Sequence, residues 1–295
     1  MPMDKLQIET RSDAWLRGHL PRGLRGAVLF VAHQLWAGLF GVIILAALIV
    51  TKAIWQPDWA LARYDALVVI AVVTQILMLA FRLETLDEAK VILLFHLTGT
   101  VMEWFKVGAG SWSYPEPGLI KAFGVPLFTG FMYASLGSYI ARSLRLYRIV
   151  LAPFPPFPLV AVLAGAIYVN FFAHHYLPDI RLVLFAATVV LFFRTRIWVP
   201  RPDGHRSVPL VLAVLMVAGL LWIAENIGTL TGTWAYAGQA RWDAVSFRLA
   251  GSWYLLVYVA LATVLLVFRD ACRPAPPTAP KASPATARTP GTGRP

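Results

Sequence analysis

Two glutamates stand inside otherwise apolar stretches of this sequence, and each begins the same short pattern. Residues 103–114 read EWFKVGAGSWSY, and residues 225–236 read ENIGTLTGTWAY. In both, the glutamate is followed at identical spacing by a glycine, a small hydroxyl residue, a tryptophan and a tyrosine. An ionisable side chain within a membrane helix costs about 3 kcal/mol and usually has a partner or a function. Glu103 and Glu225 are therefore the leading candidates for chemistry.

The chemistry that two such carboxyls offer is proton transfer. Burial favours the protonated carboxyl over the carboxylate, and a general acid must be protonated near neutral pH. We therefore expect Glu103 and Glu225 to act as proton donor and acceptor. The alternative is a structural role, because Lys106 lies one helical turn after Glu103 and could neutralise it. Gly228 occupies the matching place after Glu225, so this alternative fails there.

The segments that follow the two glutamates are rich in glycine. We expect each helix to fray there and the chain to fold back over the bundle as a cap. Aromatic residues are common at membrane interfaces, but an interfacial belt does not explain one spacing used twice. Folded back, the caps would bring Tyr114 and Tyr236 to the carboxyls as catalytic groups, and Trp112 and Trp234 as substrate-binding groups.

Histidines extend this candidate set. His96 lies on the helix face of Glu103, and His174 and His175 end a later apolar run just before Asp179. We expect His174 to assist catalysis, and His96, His175 and Asp179 to bind substrate. Adjacent helical residues point about 100° apart, so at most one of the paired histidines should face the bundle. A metal site built from these residues is an alternative, but no HxxxH or HExxH spacing occurs. We therefore predict no metal ligand and leave the cofactor unknown.

The elements that position these residues are predicted to be membrane-spanning helices. The chain is 58% hydrophobic and 14% charged, whereas soluble domains carry roughly a quarter charged residues. Apolar runs long enough to cross a bilayer recur along it. The predicted fold is all-α, with eight transmembrane helices at about residues 26–50, 65–82, 89–107, 123–142, 156–174, 180–198, 208–226 and 250–268.

The recurrence of the motif predicts an internal repeat of two parallel four-helix halves. The first half covers residues 26–148 and the second covers residues 149–268. A cytoplasmic N-terminal tail, 1–25, precedes them. A Pro/Ala/Thr-rich tail, 269–295, follows them and is predicted to be a disordered cytoplasmic segment.

The charge distribution predicts the orientation and the partners. The formal net charge is +11, and most of the 26 Lys and Arg residues fall in segments on one side of the predicted spans. This positive-inside pattern predicts a multi-pass membrane protein with both termini cytoplasmic. Residues 108–122 and 227–248 would then lie outside. We expect membrane lipids and an apolar lipid-like substrate as partners, and no nucleic acid.

The sequence also resembles the YoaT-like family of bacterial integral membrane proteins of unknown function, over roughly residues 28–268. The strings that carry this resemblance are HLTGTVMEWFKVGAGSWSYPEP, GVPLFTGFMYASLGSYIAR, FFAHHYLPDIR and ENIGTLTGTWAYAGQ. This family implies a protein of a bacterial inner membrane and no particular activity.

A more distant resemblance is to the carotenoid hydratases and the small-subunit lycopene cyclases, on Glu103, Trp112, Tyr114 and the run GVPL at 124–127. These families imply acid catalysis on a polyene, in which a carboxyl protonates a double bond. The cyclase-type Pro-x-Glu-Glu sequence is absent, which leaves hydration, isomerisation or lipid binding open.

The function predicted from these features is acid–base chemistry, of the hydratase or isomerase type, on an isoprenoid-like or other long apolar lipid. Tryptophan faces would stabilise the carbocation that forms when an alkene is protonated. Two other classes stay open. One is a proton-coupled transporter or lipid flippase that uses the interface between the halves. The other is a metal-dependent lipid hydrolase. The sequence does not decide whether the protein is an enzyme.

Overall fold

The computed structural model describes residues 21–201, 204–238 and 243–277. Most of this part of the chain is helical. Its α-helices are α1 (Arg22–Ala37), α2 (Leu39–Ile54), α3 (Arg63–Ala80), α4 (Leu86–Gly108), α5 (Phe128–Leu146), α6 (Phe157–Ala173), α7 (Arg181–Phe192), α8 (Leu210–Leu230) and α9 (Arg248–Val267).

Four of these helices, α3, α4, α8 and α9, are each long and apolar enough to cross a membrane. Together, α1 and α2 would make a fifth span, but they are bent by 85° at the break between them. Helices of this length and composition indicate an integral membrane protein, because an apolar core about 30 Å thick needs roughly 20 residues.

Each of the eight predicted runs overlaps a helix, but only four of the described helices, or five with the bent pair, are long and apolar enough to span a membrane, so eight crossings are not shown. Two of the runs differ most from the prediction. The run 26–50 is divided between α1 and α2, which meet at Gly38. The run 180–198 gives only the 12 residues of α7, about 18 Å of helix. After α7 the chain turns at Thr195, whose hydroxyl donates to the Pro153 carbonyl at 2.8 Å, and it enters a strand.

The structure also contains short strands, which an all-α prediction did not include. They are β1 (Trp112–Ser113), β2 (Lys121–Ala122), β3 (Val125–Pro126), β4 (Val150–Ala152), β5 (Arg196–Arg201), β6 (Gly204–Pro209) and β7 (Ala235–Tyr236). They form the pairs β1–β7 and β2–β3 and a three-stranded sheet in the order β4–β5–β6. All neighbours are antiparallel.

The segment after α9 is attached to this three-stranded sheet. A 3₁₀ turn covers Arg269–Ala271, and Cys272 then forms a β-bridge with Leu151. The N–H of Arg273 donates to the Leu151 carbonyl at 2.9 Å. The predicted disordered tail therefore begins with an ordered stretch, because its backbone completes a sheet edge. The rest of the tail, 278–295, and most of the N-terminal tail, 1–20, lie outside the described residues.

Close packing of α4 against α5 depends on glycine. A Cβ atom built at Gly99 of α4 would lie 2.8 Å from the ring of Tyr133, and one built at Gly137 of α5 would lie 2.8 Å from Phe95. Small residues of this kind let membrane helices approach each other closely. Gly99 lies one helical turn before Glu103, so this approach brings Tyr133 of α5 close to the Glu103 carboxyl.

Charged side chains are buried at the other end of the same helices. Arg142 is 1% exposed and donates to the carbonyls of Trp36, Ala37 and Leu83. Glu88 caps the start of α4 and accepts from Arg145 at 2.7 Å. The bonds from Arg142 satisfy the carbonyls of Trp36 and Ala37 at the α1–α2 break, which would otherwise be unpaired.

Candidate functional site

Glu103 lies on a helix that ends in a defined glycine turn. Helix α4 ends at Gly108, and Gly110 adopts a left-handed conformation with φ +72°. The N–H of Ser111 donates to the Lys106 carbonyl, and the N–H of Gly110 donates to the Val107 carbonyl, both at 3.0 Å. This pair of bonds is the Schellman arrangement that ends many helices.

Glu225 lies on a helix that ends in the same way. Gly232 has φ +63°. The N–H of Thr233 donates to the Gly228 carbonyl and that of Gly232 to the Thr229 carbonyl, both at 2.9 Å. Glycine takes this backbone conformation without the steric cost of a Cβ atom. Both helices therefore stop in an ordered turn, and the expected fraying does not occur.

These turns explain the spacing of the motif. From glutamate to glycine the helix advances about 10 Å. The left-handed turn then reverses the chain, and an extended segment returns by about 3.3 Å per residue. The tryptophan and tyrosine that follow are carried back along the helix to the level of the glutamate.

The Glu103 carboxyl is buried, at 2% exposure, and binds three neutral donors. Trp112 Nε1 and the Tyr114 hydroxyl each donate to Oε2 at 2.8 Å. The Tyr133 hydroxyl of α5 donates to Oε1 at 2.7 Å. Both carboxyl oxygens are therefore satisfied without a cation.

The Glu225 carboxyl, at 9% exposure, has the equivalent partners. Trp234 Nε1 donates to Oε2 at 3.1 Å and the Tyr236 hydroxyl donates to the same oxygen at 2.7 Å. Trp253 of α9 lies next to this carboxyl and interacts with it. As with Tyr133 at Glu103, this neighbour comes from the helix that follows the motif in sequence.

The two sites form one aromatic cluster. Strands β1 and β7 pair so that Trp112 faces Tyr236 and Ser113 faces Ala235. The rings of Trp112 and Tyr236 lie 5.9 Å apart between centroids, and those of Tyr133 and Trp253 lie 6.1 Å apart. Because Ser113 and Ala235 hold the same place in the two motifs, the ladder relates each motif to the other by a local two-fold axis.

The cap tyrosines interact electrostatically with both glutamates. Burial, and then the negative charge of Glu103 with a smaller effect from Glu225, raises the pKa of Tyr114. Burial, and then the charge of Glu225 followed by that of Glu103, raises the pKa of Tyr236. Both phenols therefore stay protonated and act as hydrogen-bond donors.

The side chain of Lys106 does not neutralise Glu103. Its Nζ lies 3.0 Å from His175 Nε2 and 4.1 Å from the centre of the Phe171 ring. The local ion pair considered from the sequence is therefore replaced by a contact with the end of α6, and Glu103 keeps its neutral donors.

The histidines and Asp179 lie apart from the cluster. His96 packs on Phe131, with ring centroids 4.3 Å apart. His174 and His175 follow the end of α6 at Ala173, so the helical 100° step does not apply. Their rings lie 4.3 Å apart, yet they have different partners: His174 Nδ1 bonds the Asn170 carbonyl and His175 bonds Lys106.

A metal site receives no support from this arrangement. Asp179 forms an ion pair with Arg181 and accepts from Asn170 Nδ2 at 3.1 Å. Within residues 21–201, 204–238 and 243–277, no three His, Cys, Asp or Glu side chains are placed as ligands of one ion.

A family model described as "Protein of unknown function (DUF817)" matches residues 27–261, which contain both motifs. The chain belongs to this family. The Uncharacterized protein YoaT of Bacillus subtilis (strain 168) is 43% identical over 244 residues, 82% of this chain and 92% of the relative. No solved structure matches. The YoaT-like resemblance is confirmed, whereas the resemblance to carotenoid-pathway proteins finds no support in these comparisons.

In this DUF817 protein, sequence reasoning missed the residues that anchor the caps. Arg63, 5% exposed, donates to Glu116 Oε1 and to Thr233 Oγ1, both at 2.9 Å. The Tyr64 hydroxyl donates to the Thr233 carbonyl at 2.6 Å. Asp65 accepts from the N–H groups of Leu119 and Ile120 at 2.9 and 2.7 Å. The run Arg-Tyr-Asp at the start of an apolar helix was the available signal.

Proposed function

We propose that this protein uses Glu103 and Glu225 as proton donor and acceptor in acid–base chemistry on a long apolar, isoprenoid-like lipid. The observation that carries the proposal is the single aromatic cluster in which both carboxyls are buried among neutral donors. Structural buried carboxylates usually have a cationic partner, and neither glutamate has one in the described part of the chain.

Two carboxyls in one poorly solvated cluster support a shared proton. Both cannot ionise without a large cost, so one proton held between them would make one group the acid and the other the base. The faces of Trp112 and Trp234 supply the electron-rich surface that a carbocation intermediate requires. Hydration and isomerisation both begin with such a protonated alkene.

We place the cluster at the outer side of a bacterial inner membrane, with both termini in the cytoplasm. In this arrangement the chain makes eight crossings, with α1 and α2 together as the first and α7 as a short sixth. The two motifs are then the outer ends of an internal repeat of two parallel four-helix halves. The equivalent helix ends and the register of β1 with β7 support this repeat.

A proton-coupled transporter or flippase is the second candidate, and the paired caps favour it. Strands β1 and β7 close over both carboxyls, and Arg63 and Tyr64 hold Thr233 beneath them. Access from outside then requires the caps to separate. Alternation between closed and open caps is the behaviour expected of a transporter gate.

Lipid analysis tests the enzymatic proposal. A strain deleted for the gene should show an altered class of long apolar lipid, restored by the wild-type protein but not by Glu103→Gln or Glu225→Gln at equal expression. Asp87→Asn is the matched control, because Asp87 is exposed and pairs only with Lys90 in the described residues. Full restoration by Glu225→Gln would refute a proton-transfer role for that carboxyl.

Proton flux distinguishes the second candidate. Vesicles that contain the purified protein and a pH-sensitive dye should show no net proton movement if the protein is an isomerase or hydratase. A transporter would instead acidify or alkalinise the lumen when its cargo is supplied, and Glu225→Gln would abolish the signal.

A further inference from the structure

A shallow cleft lies where the end of α6 meets the starts of α7 and α9. Its polar lining consists of Asn170, His174, Arg181 and Ser252, and its apolar lining consists of Ile167, Phe171, Leu255 and Leu256. One end of the cleft is therefore polar and basic, and the other is hydrocarbon. The acid–base proposal does not use this cleft.

The polar end is held together by hydrogen bonds and an ion pair. Asp179 forms an ion pair with Arg181 Nε and accepts from the Asn170 amide at 3.1 Å. The Asn170 side-chain oxygen accepts from the Ile180 N–H at 3.1 Å. Arg181 is thus oriented through its Nε, and no hydrogen bond among the described residues uses its terminal nitrogens. A guanidinium held in this way presents two parallel donors.

Two further polar groups line the same end of the cleft as Arg181. His174 Nδ1 donates to the Asn170 carbonyl at 3.1 Å, and no hydrogen bond among the described residues uses its Nε2. The Ser252 hydroxyl lines the same end of the cleft and adds a neutral donor.

The charge around the cleft is positive on balance. Lys106 Nζ lies 3.0 Å from His175 Nε2, and the Lys106 charge interacts electrostatically with both Arg181 and Asp179. Two cationic side chains, Lys106 and Arg181, therefore lie near one carboxylate, that of Asp179. This surplus suits a ligand that brings at least one negative charge.

The surroundings of the cleft are apolar and exposed. Leu182 is 75% exposed, Val183 66% and Leu177 63%. In a membrane protein, side chains of this kind face lipid. A soluble anion would gain nothing from them or from the hydrocarbon wall, whereas an amphiphile would bury its chains there.

We propose that this cleft binds the phosphate headgroup of an anionic membrane phospholipid. Arg181 takes the phosphate in a bidentate contact, the Ser252 hydroxyl donates a further hydrogen bond to it, and an acyl chain lies along Ile167, Leu255 and Leu256. The assignment stands independently of the acid–base role of the glutamates.

Native mass spectrometry of the detergent-purified protein tests the site with three probes: phosphatidylglycerol, phosphatidylcholine and inorganic phosphate. Wild-type protein should prefer phosphatidylglycerol to phosphatidylcholine by about tenfold, and Arg181→Gln should lose that preference. The matched control is Arg206→Gln, which removes the same charge from an exposed position on β6 and should leave binding unchanged.

A conservative substitution guards against a folding defect in Arg181→Gln, which breaks the pair with Asp179. Arg181→Lys keeps the charge but loses the bidentate fork, so it should retain a preference between those of wild type and Arg181→Gln, and Ser252→Ala should also weaken it to an intermediate extent. Unchanged binding in Arg181→Gln, equal loss in Arg206→Gln, or displacement of the lipid by equimolar inorganic phosphate would each overturn the proposal.

Discussion

Glu103 and Glu225 are each held by aromatic N–H and O–H groups. Such donors can serve a carboxylate, and a hydroxyl among them can also accept from a protonated carboxyl. A salt bridge would instead fix the charged form. At the scale of single residues, this choice of partners lets a carboxyl change protonation state without losing its position.

Tyr133 is the donor that the motif did not reveal, and its removal should be costly. Tyr133→Phe deletes the hydroxyl that donates to Glu103 Oε1 at 2.7 Å and leaves a buried oxygen unpaired. We expect a loss of about 1–3 kcal/mol of stability, seen as a lower Tm in detergent. Tyr176→Phe, at a side chain that is 76% exposed, is the control and should leave Tm unchanged. Equal Tm values for the two variants would contradict the role assigned to Tyr133.

Gly228 should tolerate no side chain. A Cβ atom built there would lie 1.8 Å from the ring of Trp234, so Gly228→Ala must displace that ring from Glu225. The expected cost of such overpacking is about 1–3 kcal/mol. Gly219 lies on the same helix with nothing within 4 Å of the corresponding position, and Gly219→Ala should be neutral or stabilising. Thermal unfolding of the two variants measures the difference, and similar Tm values would contradict the packing described here.

The thiol of Cys272 should react slowly. Burial, partly offset by Arg269, raises its pKa to about 11. Because the thiolate is the reactive form, alkylation by iodoacetamide at pH 8 should be about 100-fold slower than for an exposed cysteine. The rate should keep rising up to about pH 11. The reference thiol is Leu119→Cys in a Cys272→Ser background, since Leu119 is 92% exposed. Equal rates at pH 8 would show that Cys272 is not shielded.

The sequence predicted part of this site. Trp112 and Tyr114 reach Glu103 as expected, because the spacing within one turn and one return segment fixes where they lie. Tyr133 and Trp253 could not be predicted in this way. Their contacts depend on how closely helices distant in sequence approach each other, which for Tyr133 is set by the missing side chain of Gly99.

At the scale of elements, the β1–β7 pair can be tested by a cross-link. Ser113 and Ala235 are exposed cross-strand partners, and paired residues lie about 4.5–5.5 Å apart between Cα atoms, within disulfide range. In a Cys272→Ser background, Ser113→Cys with Ala235→Cys should oxidise readily, as peptide mapping without reductant would show. Ser113→Cys with Arg206→Cys is the control and should stay reduced. Failure of the first pair to oxidise would mean that the caps are not paired in the membrane.

The helices were easier to predict from the sequence than their breaks. Continuous apolar runs mark α3, α4, α8 and α9 because a bilayer selects them locally. The break at Gly38 and the early end of α7 depend on groups that are distant in sequence. Arg142 donates to a carbonyl at the end of α1, and the Thr195 hydroxyl donates to the Pro153 carbonyl. Strands β1 and β7 are two residues each, too short to carry an alternating pattern.

At the scale of the whole molecule, the orientation can be tested with two single cysteines. Leu119→Cys lies in a loop that we place outside, and Arg206→Cys lies on β6, which we place in the cytoplasm; both use the Cys272→Ser background. An impermeant maleimide should label the first in intact cells and the second only after lysis. The reverse pattern would invert the topology and move the cluster to the cytoplasmic face.

The pairing of β1 with β7 has a thermodynamic consequence. Each strand carries the donors of one glutamate and is hydrogen-bonded to the strand that carries the donors of the other. A change at one carboxyl that loosens its strand therefore weakens the hydrogen bonds that hold the strand beside the second carboxyl. Linkage then requires the reverse effect to be of equal size. The two glutamates should titrate as a coupled pair, and each should report on the state of the other.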